Sequence, residues 1–88
     1  MKCIFKASFR KDFSKHKDPK LAKVMLDVIN EVATAEKLSE INSLKKLKNH
    51  KTAYRIRIGD YRIGMVIIDK TAIFAAFAHR KDIYKRFP

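Results

Sequence analysis

Between Tyr54 and Ile63 apolar and cationic residues alternate: Tyr54-Arg55-Ile56-Arg57-Ile58, then Gly59-Asp60, then Tyr61-Arg62-Ile63. Alternation sends one kind of side chain to each face of a strand, and a Gly-Asp pair between two such runs marks a β-hairpin with a two-residue turn. That turn predicts Ile58 opposite Tyr61, Ile56 opposite Ile63 and Tyr54 opposite Met65, on a face that needs a core. The other face then sets Arg57 directly opposite Arg62, and Arg55 opposite Gly64. Like charges opposed across a ladder cost up to about 1 kcal/mol, so the pairing calls for a compensating anion.

The remaining segments say what the hairpin packs against. Cys3-Ile4-Phe5-Lys6-Ala7 reads as a short first strand. Ser8 is a candidate cap for a helix with Phe9 and Phe13 one turn apart, and Asp18-Pro19 starts a second helix, Asp as N-cap and Pro at the first helical position. In that second helix Leu21, Val24, Met25, Val28, Ile29 and Val32 form one apolar stripe. Leu38 and Ile41 predict a short helical turn or packed loop. Strands are expected over Tyr61 to about Ile68 and Thr71 to Ala78, joined by a turn at Asp69-Lys70. The expected architecture is α+β: an antiparallel sheet of the N-terminal strand and a three-stranded C-terminal meander, with an N-terminal helical hairpin packed on one face. At 88 residues it is a single domain.

Charge narrows the partners. The chain carries 21 Lys+Arg against 9 Asp+Glu, a formal net charge of +12, which suits a polyanion: nucleic acid, an acidic protein or an anionic membrane. No apolar run approaches a membrane span and the basic N-terminal segment does not read as a signal peptide. The single Cys3 excludes an internal disulfide, so a reducing cytoplasm is the expected setting.

Carrying the pairing across Asp69-Lys70 sets Arg62 beside Phe77 and Gly64 beside Ala75. On this reading Gly64 and Ala75 form a shallow floor edged by Arg55, Arg57 and Arg62, and His79 follows on the same face. Such a surface suits a phosphate backbone with a base lying over the Phe77 ring. Lys45, Lys46, Lys48, His50 and Lys51 lead into the hairpin as a basic loop anchored by Leu44 and Leu47, and its lysines are candidates for backbone contacts rather than catalysis. Asn49 suits a tight turn within it. His16 and His50 are expected at the surface, and no His, Asp or Glu spacing suggests a metal. The chain has no paired carboxylates, G-x-S-x-G, P-loop or H-E-x-x-H. Clustered cations, a histidine and a tyrosine suit attack of an RNA 2′-OH on its own adjacent phosphate.

The segment YRIRIGDYRIG, preceded by LKKLKNHK and followed by HRKDIYKRFP, resembles the RelE/ParE superfamily of bacterial toxins from type II toxin–antitoxin pairs, and the resemblance covers nearly the whole chain. For the RelE-like branch it implies an endoribonuclease that enters the ribosomal A site and cuts bound mRNA without metal or cofactor, leaving a 2′,3′-cyclic phosphate. It implies that Arg62 and Arg80 hold the scissile phosphate, that Arg55 and Arg57 position the backbone, and that Tyr84 stacks on a base or moves a proton, with His79 a rival general base. Arg55 and Arg57 stand where the family commonly has lysine, and arginine is a poor proton shuttle. The competing ParE-like branch implies a DNA gyrase poison without nuclease activity. A non-catalytic nucleic-acid-binding module is the third reading. Either toxin reading implies a cognate antitoxin as partner, an acidic segment that folds on binding.

Overall fold

In the computed structural model, which describes residues 1–88, the chain runs β1 (Lys2–Phe5), α1 (Ala7–Ser14), α2 (Pro19–Thr34), a short 3-10 turn (Leu38–Glu40), β2 (Leu44–Lys46), β3 (Ala53–Ile58), β4 (Tyr61–Ile68), β5 (Thr71–His79) and α3 (Ile83–Arg86). The hairpin forms in the predicted register. Gly59 takes φ +57 in the turn, and Ile58 pairs with Tyr61, Arg57 with Arg62, Ile56 with Ile63, Arg55 with Gly64 and Tyr54 with Met65.

Local signals account for α2. Asp18 accepts the Lys20 N–H at 2.9 Å and Pro19 opens the helix, where its missing N–H costs nothing. At the other end the Met1 ammonium donates to the carbonyls of Val32, Ala33 and Ala35 at 3.3, 2.7 and 3.0 Å, supplying partners and positive charge where helix carbonyls lack both. Met25 and Val32 of the apolar stripe are fully buried, and Leu21, Val28 and Ile29 pack partly buried against the same core. Val24 remains 42% exposed, at the margin of the stripe. Ser8 does not cap α1, whose N-cap position is Lys6; it lies inside the helix, and its hydroxyl donates to the Ala75 carbonyl at 2.6 Å.

The sheet has the order β1-β5-β4-β3-β2, and it departs from expectation at both edges, in strand direction at one and in strand number at the other. β1 joins β5 in parallel. The helices carry the chain from β1 to the far edge of the sheet, and the antiparallel run from β2 to β5 brings it back beside β1. This is a long connection of the kind a parallel neighbour requires, and nothing within so short a strand states its direction. At the far edge Leu44, Lys45 and Lys46 pair antiparallel with Ile56, Arg55 and Tyr54, so the expected loop starts as a strand. The inner face carries the main core: Ile56, Ile63, Met65, Phe74 and Phe77 are buried, and the Phe5, Phe9 and Phe74 rings lie 4.8 to 6.0 Å apart. Each such side chain contributes about 1.5–3 kcal/mol.

The third correction decides which side chains meet. Asp69 and Lys70 turn with φ 48 and 58, as a two-residue hairpin turn requires, and the ladder runs regularly from Ile68–Thr71 to Met65–Phe74. Gly64 then pairs with Ala76, leaving Ala75 as the extra residue of a β-bulge. Two side chains of α1 bind this bulge: Ser8 donates to the Ala75 carbonyl and the Asp12 carboxylate accepts the Phe77 N–H at 3.1 Å. Four residues apart, Ser8 and Asp12 lie on one helix face. A one-residue slip exchanges the faces of every position beyond it. Arg62 therefore stands beside Ala78, not Phe77.

Candidate nucleic-acid interface

The alternation in β3 and β4 projects Arg55, Arg57 and Arg62 from the sheet face opposite the main core. Arg62 is their centre. It is partly buried, and its guanidinium donates at 2.9 Å to the carbonyls of Gly59 and Tyr61, which fold it back over the hairpin turn. Its pKa is held below the ordinary arginine value, first by burial and then by Arg55 and Arg57; Arg80 acts in the same sense and Tyr84 in the opposite one. The group stays cationic at neutral pH. Arg80 is brought there by its own backbone, whose N–H donates to the Asp60 carbonyl at 2.8 Å and ties the end of β5 to the hairpin turn. No carboxylate pairs with any of these arginines; the molecule's one salt bridge joins Arg86 to Asp12.

The floor forms with Ala76 beside Gly64 in place of the expected Ala75, and it is not open. Ala53, Ala76 and Ala78 make a surface low enough for α3 to approach closely, and Ile83 and Phe87 cover it, with Leu47 and Val66 at the margin. Gly64 is part of that fit: a Cβ there would stand 2.5 Å from Cδ2 of Phe87. With Ile83 and Phe87 pointing into the sheet, Tyr84 of the same turn is left 60% exposed.

Beside Tyr84 an open groove of about 700 Å³ runs between β2 and the C-terminal residues, lined by Lys45, Lys46, Leu47, Lys48, His50, Arg55, Tyr84, Phe87 and Pro88. Lys45 reaches it because β2 pairs it with Arg55, which extends the Arg55–Gly64 row outward. The loop behind is shaped by Asn49 at φ 65, as its residue type allows, and by the Leu47 N–H donating to the Ala53 carbonyl at 2.9 Å. Lys51 lies on this loop, away from the groove wall.

Two sequence-predicted site residues do not belong to this surface. Phe77 is only 2% exposed, its ring packed between Phe13, His16 and Tyr61 at 5.2 to 5.3 Å, so no base can stack on it. His79 pairs with Tyr61 in the ladder and lies against its ring at 5.6 Å, on the sheet face away from Arg62. Its Nδ1 accepts the Lys81 N–H at 3.2 Å. The bulge at Ala75 is the physical reason for both. Conversely, His50, assigned to the general surface from its sequence context, lines the groove; its place after the Asn49 turn was the available signal. Asp12 gave no signal at all.

Among known proteins, the chain is 38% identical over 89 residues to Toxin RelE3 of Methanocaldococcus jannaschii, with the whole of both chains covered. Among solved structures it is similar to a chain of the RelB-RelE antitoxin–toxin complex from Methanococcus jannaschii, at 36% identity and a TM-score of 0.79, covering 97% of this chain and 99% of that one. A chain of the RelBE2 toxin–antitoxin complex from Mycobacterium tuberculosis shares the fold, with a TM-score of 0.71 at 22% identity over 90% of this chain and 96% of that one. No family model matches the chain.

Proposed function

The chain belongs to the RelE family of toxins, and from that premise we propose that it is the toxin of a type II pair, cutting mRNA on the ribosome in the cytoplasm until a cognate antitoxin neutralises it. The observation that carries this reading is the set of arginines without carboxylate partners gathered round Arg62, with Tyr84 beside them. In the proposed reaction the 2′-oxygen of one nucleotide attacks its own 3′-phosphorus as its proton is removed. The bond from phosphorus to the next 5′-oxygen breaks, and that oxygen takes up a proton. The products are a 2′,3′-cyclic phosphate and a 5′-hydroxyl, so no water is consumed.

Arg62 and Arg80 hold the phosphate and stabilise the charge that grows on its oxygens, as fixed cations do best in a partly desolvated site. Arg55 and Arg57 position the flanking backbone through planar donor forks. Lys45, Lys46 and Lys48 extend the cationic track along the groove, and ribosomal RNA or mRNA phosphates are the ligands such a track suits. Tyr84 and His50 are the groove's side chains able both to exchange a proton and to lie against a base, and they take the roles that His79 and Phe77 cannot.

The test is transcriptome-wide mapping of new mRNA 5′ ends shortly after induction of the chain alone, beside an Arg62→Ala control. Cuts within translated frames that vanish in the control support the nuclease. Growth arrest with DNA breaks and no new ends would transfer the assignment to DNA gyrase, as in the ParE-like branch. Absence of both arrest and cuts would leave a nucleic-acid-binding protein without this activity.

A further inference from the structure

Tyr84 sits on α3, a single helical turn from Ile83 to Arg86. So short a helix has no stability of its own and holds its place only through what it touches. Two of its contacts are apolar: Ile83 and Phe87 on the alanines and Gly64. The third is the salt bridge from Arg86 to Asp12.

Asp12 is 3% exposed, the one buried charged residue in the protein. One carboxylate oxygen takes the Arg86 guanidinium and the other takes the Phe77 N–H at the bulge. A single side chain thus joins the irregularity that decides which β5 residues face Arg62 to the turn that carries Tyr84. A buried carboxylate persists only when its oxygens are satisfied, so these two bonds depend on one another.

We propose that Asp12 is a positioning residue for the Arg62–Tyr84 site, acting from the opposite face of the sheet by clamping the β5 bulge and the C-terminal turn together. It touches no substrate. Its effect on cleavage rests on the function proposed above, whereas its effect on the C-terminal turn does not. Loosening the clamp lets Tyr84 move relative to Arg62, and displacements near 1 Å are enough to lower turnover about a hundredfold in a preorganised site.

The test compares Asp12→Asn with wild type in two measurements. In hydrogen exchange, the amides of Lys85 and Phe87, which donate to Asp82 and Ile83 carbonyls, should exchange about tenfold faster or more, while β4 amides stay as protected as in wild type. In ribosome-programmed cleavage, kcat should fall about tenfold or more with KM within about twofold, and the loss should vanish in a Tyr84→Ala background because both changes act through one element. Arg86→Lys should retain much of the activity that Arg86→Ala loses. Unchanged exchange at Phe87, or the same fractional loss with and without Tyr84, would overturn the proposal. If Asp12→Asn does not fold, Arg86→Ala, which leaves the Phe77 bond intact, is read by the same exchange criterion. A wild-type protein that cleaves nothing would end the nuclease reading, and the exchange measurement would still decide the clamp.

Discussion

Arg57 and Arg62 stand directly opposite one another on β3 and β4, and no acidic side chain pairs with either. Arg62 turns back to bond the carbonyls of its own hairpin turn, which disperses part of its charge but leaves donors directed outward. The pair costs stability in the free protein and favours whichever anion lies between them.

Removal of one member should therefore stabilise the fold while weakening its ligand. Arg57→Gln is expected to raise unfolding stability by about 0.2–1 kcal/mol and to lower affinity for single-stranded RNA. Urea melts and RNA titrations at fixed salt measure the two, and a variant that loses stability would place Arg57 in a structural role.

An anion site of this kind should be filled by simple oxyanions. At matched ionic strength, phosphate or sulfate should raise the urea midpoint above that in chloride, the stabilisation reaching about 2.7 kcal/mol at a hundredfold excess over the dissociation constant. Arg62→Ala should abolish the difference without unfolding the protein. An equal response in the variant would mean that the effect is general solvent exclusion.

Gly64 is needed for the room it leaves. Gly64→Ala places a methyl group 2.5 Å from Phe87 and should displace the C-terminal turn, costing about 1–3 kcal/mol and reducing cleavage together with stability. Gly59→Ala meets no neighbouring atom and is strained only by its φ of +57. Parallel thermal melts of the two variants separate crowding from backbone strain.

Depth in the core should rank the positions of α2. Met25→Ala is expected to cost about 2–5 kcal/mol, because Met25 is 2% exposed. Leu21→Ala and Val28→Ala, at partly buried sites, should cost less, and Val24→Ala should stay within about 0.5 kcal/mol. Denaturant melts of the set test the ranking, and none of these variants should lose RNA affinity while folded.

The features legible in the sequence are those in which neighbouring residues carry the whole instruction. Alternation through Tyr54–Ile63 set the hairpin register and the Arg57–Arg62 pair, Asp18-Pro19 set the start of α2, and the α+β division followed from the two periodicities. Phe74-Ala75-Ala76-Phe77-Ala78 carries no such instruction, because an unbroken apolar run is compatible with either face. Its register is decided when Ser8 and Asp12 bond the bulge from 67 and 65 positions away. That decision buries Phe77, turns His79 from the arginines and seats Phe87 over Gly64. Pairing and helix caps depend on a few adjacent residues, so the sequence alone determined them. The bulge, the parallel edge strand and the placement of Tyr84 depend on hydrogen bonds and packing between distant segments, which exist only once the helices lie on the sheet.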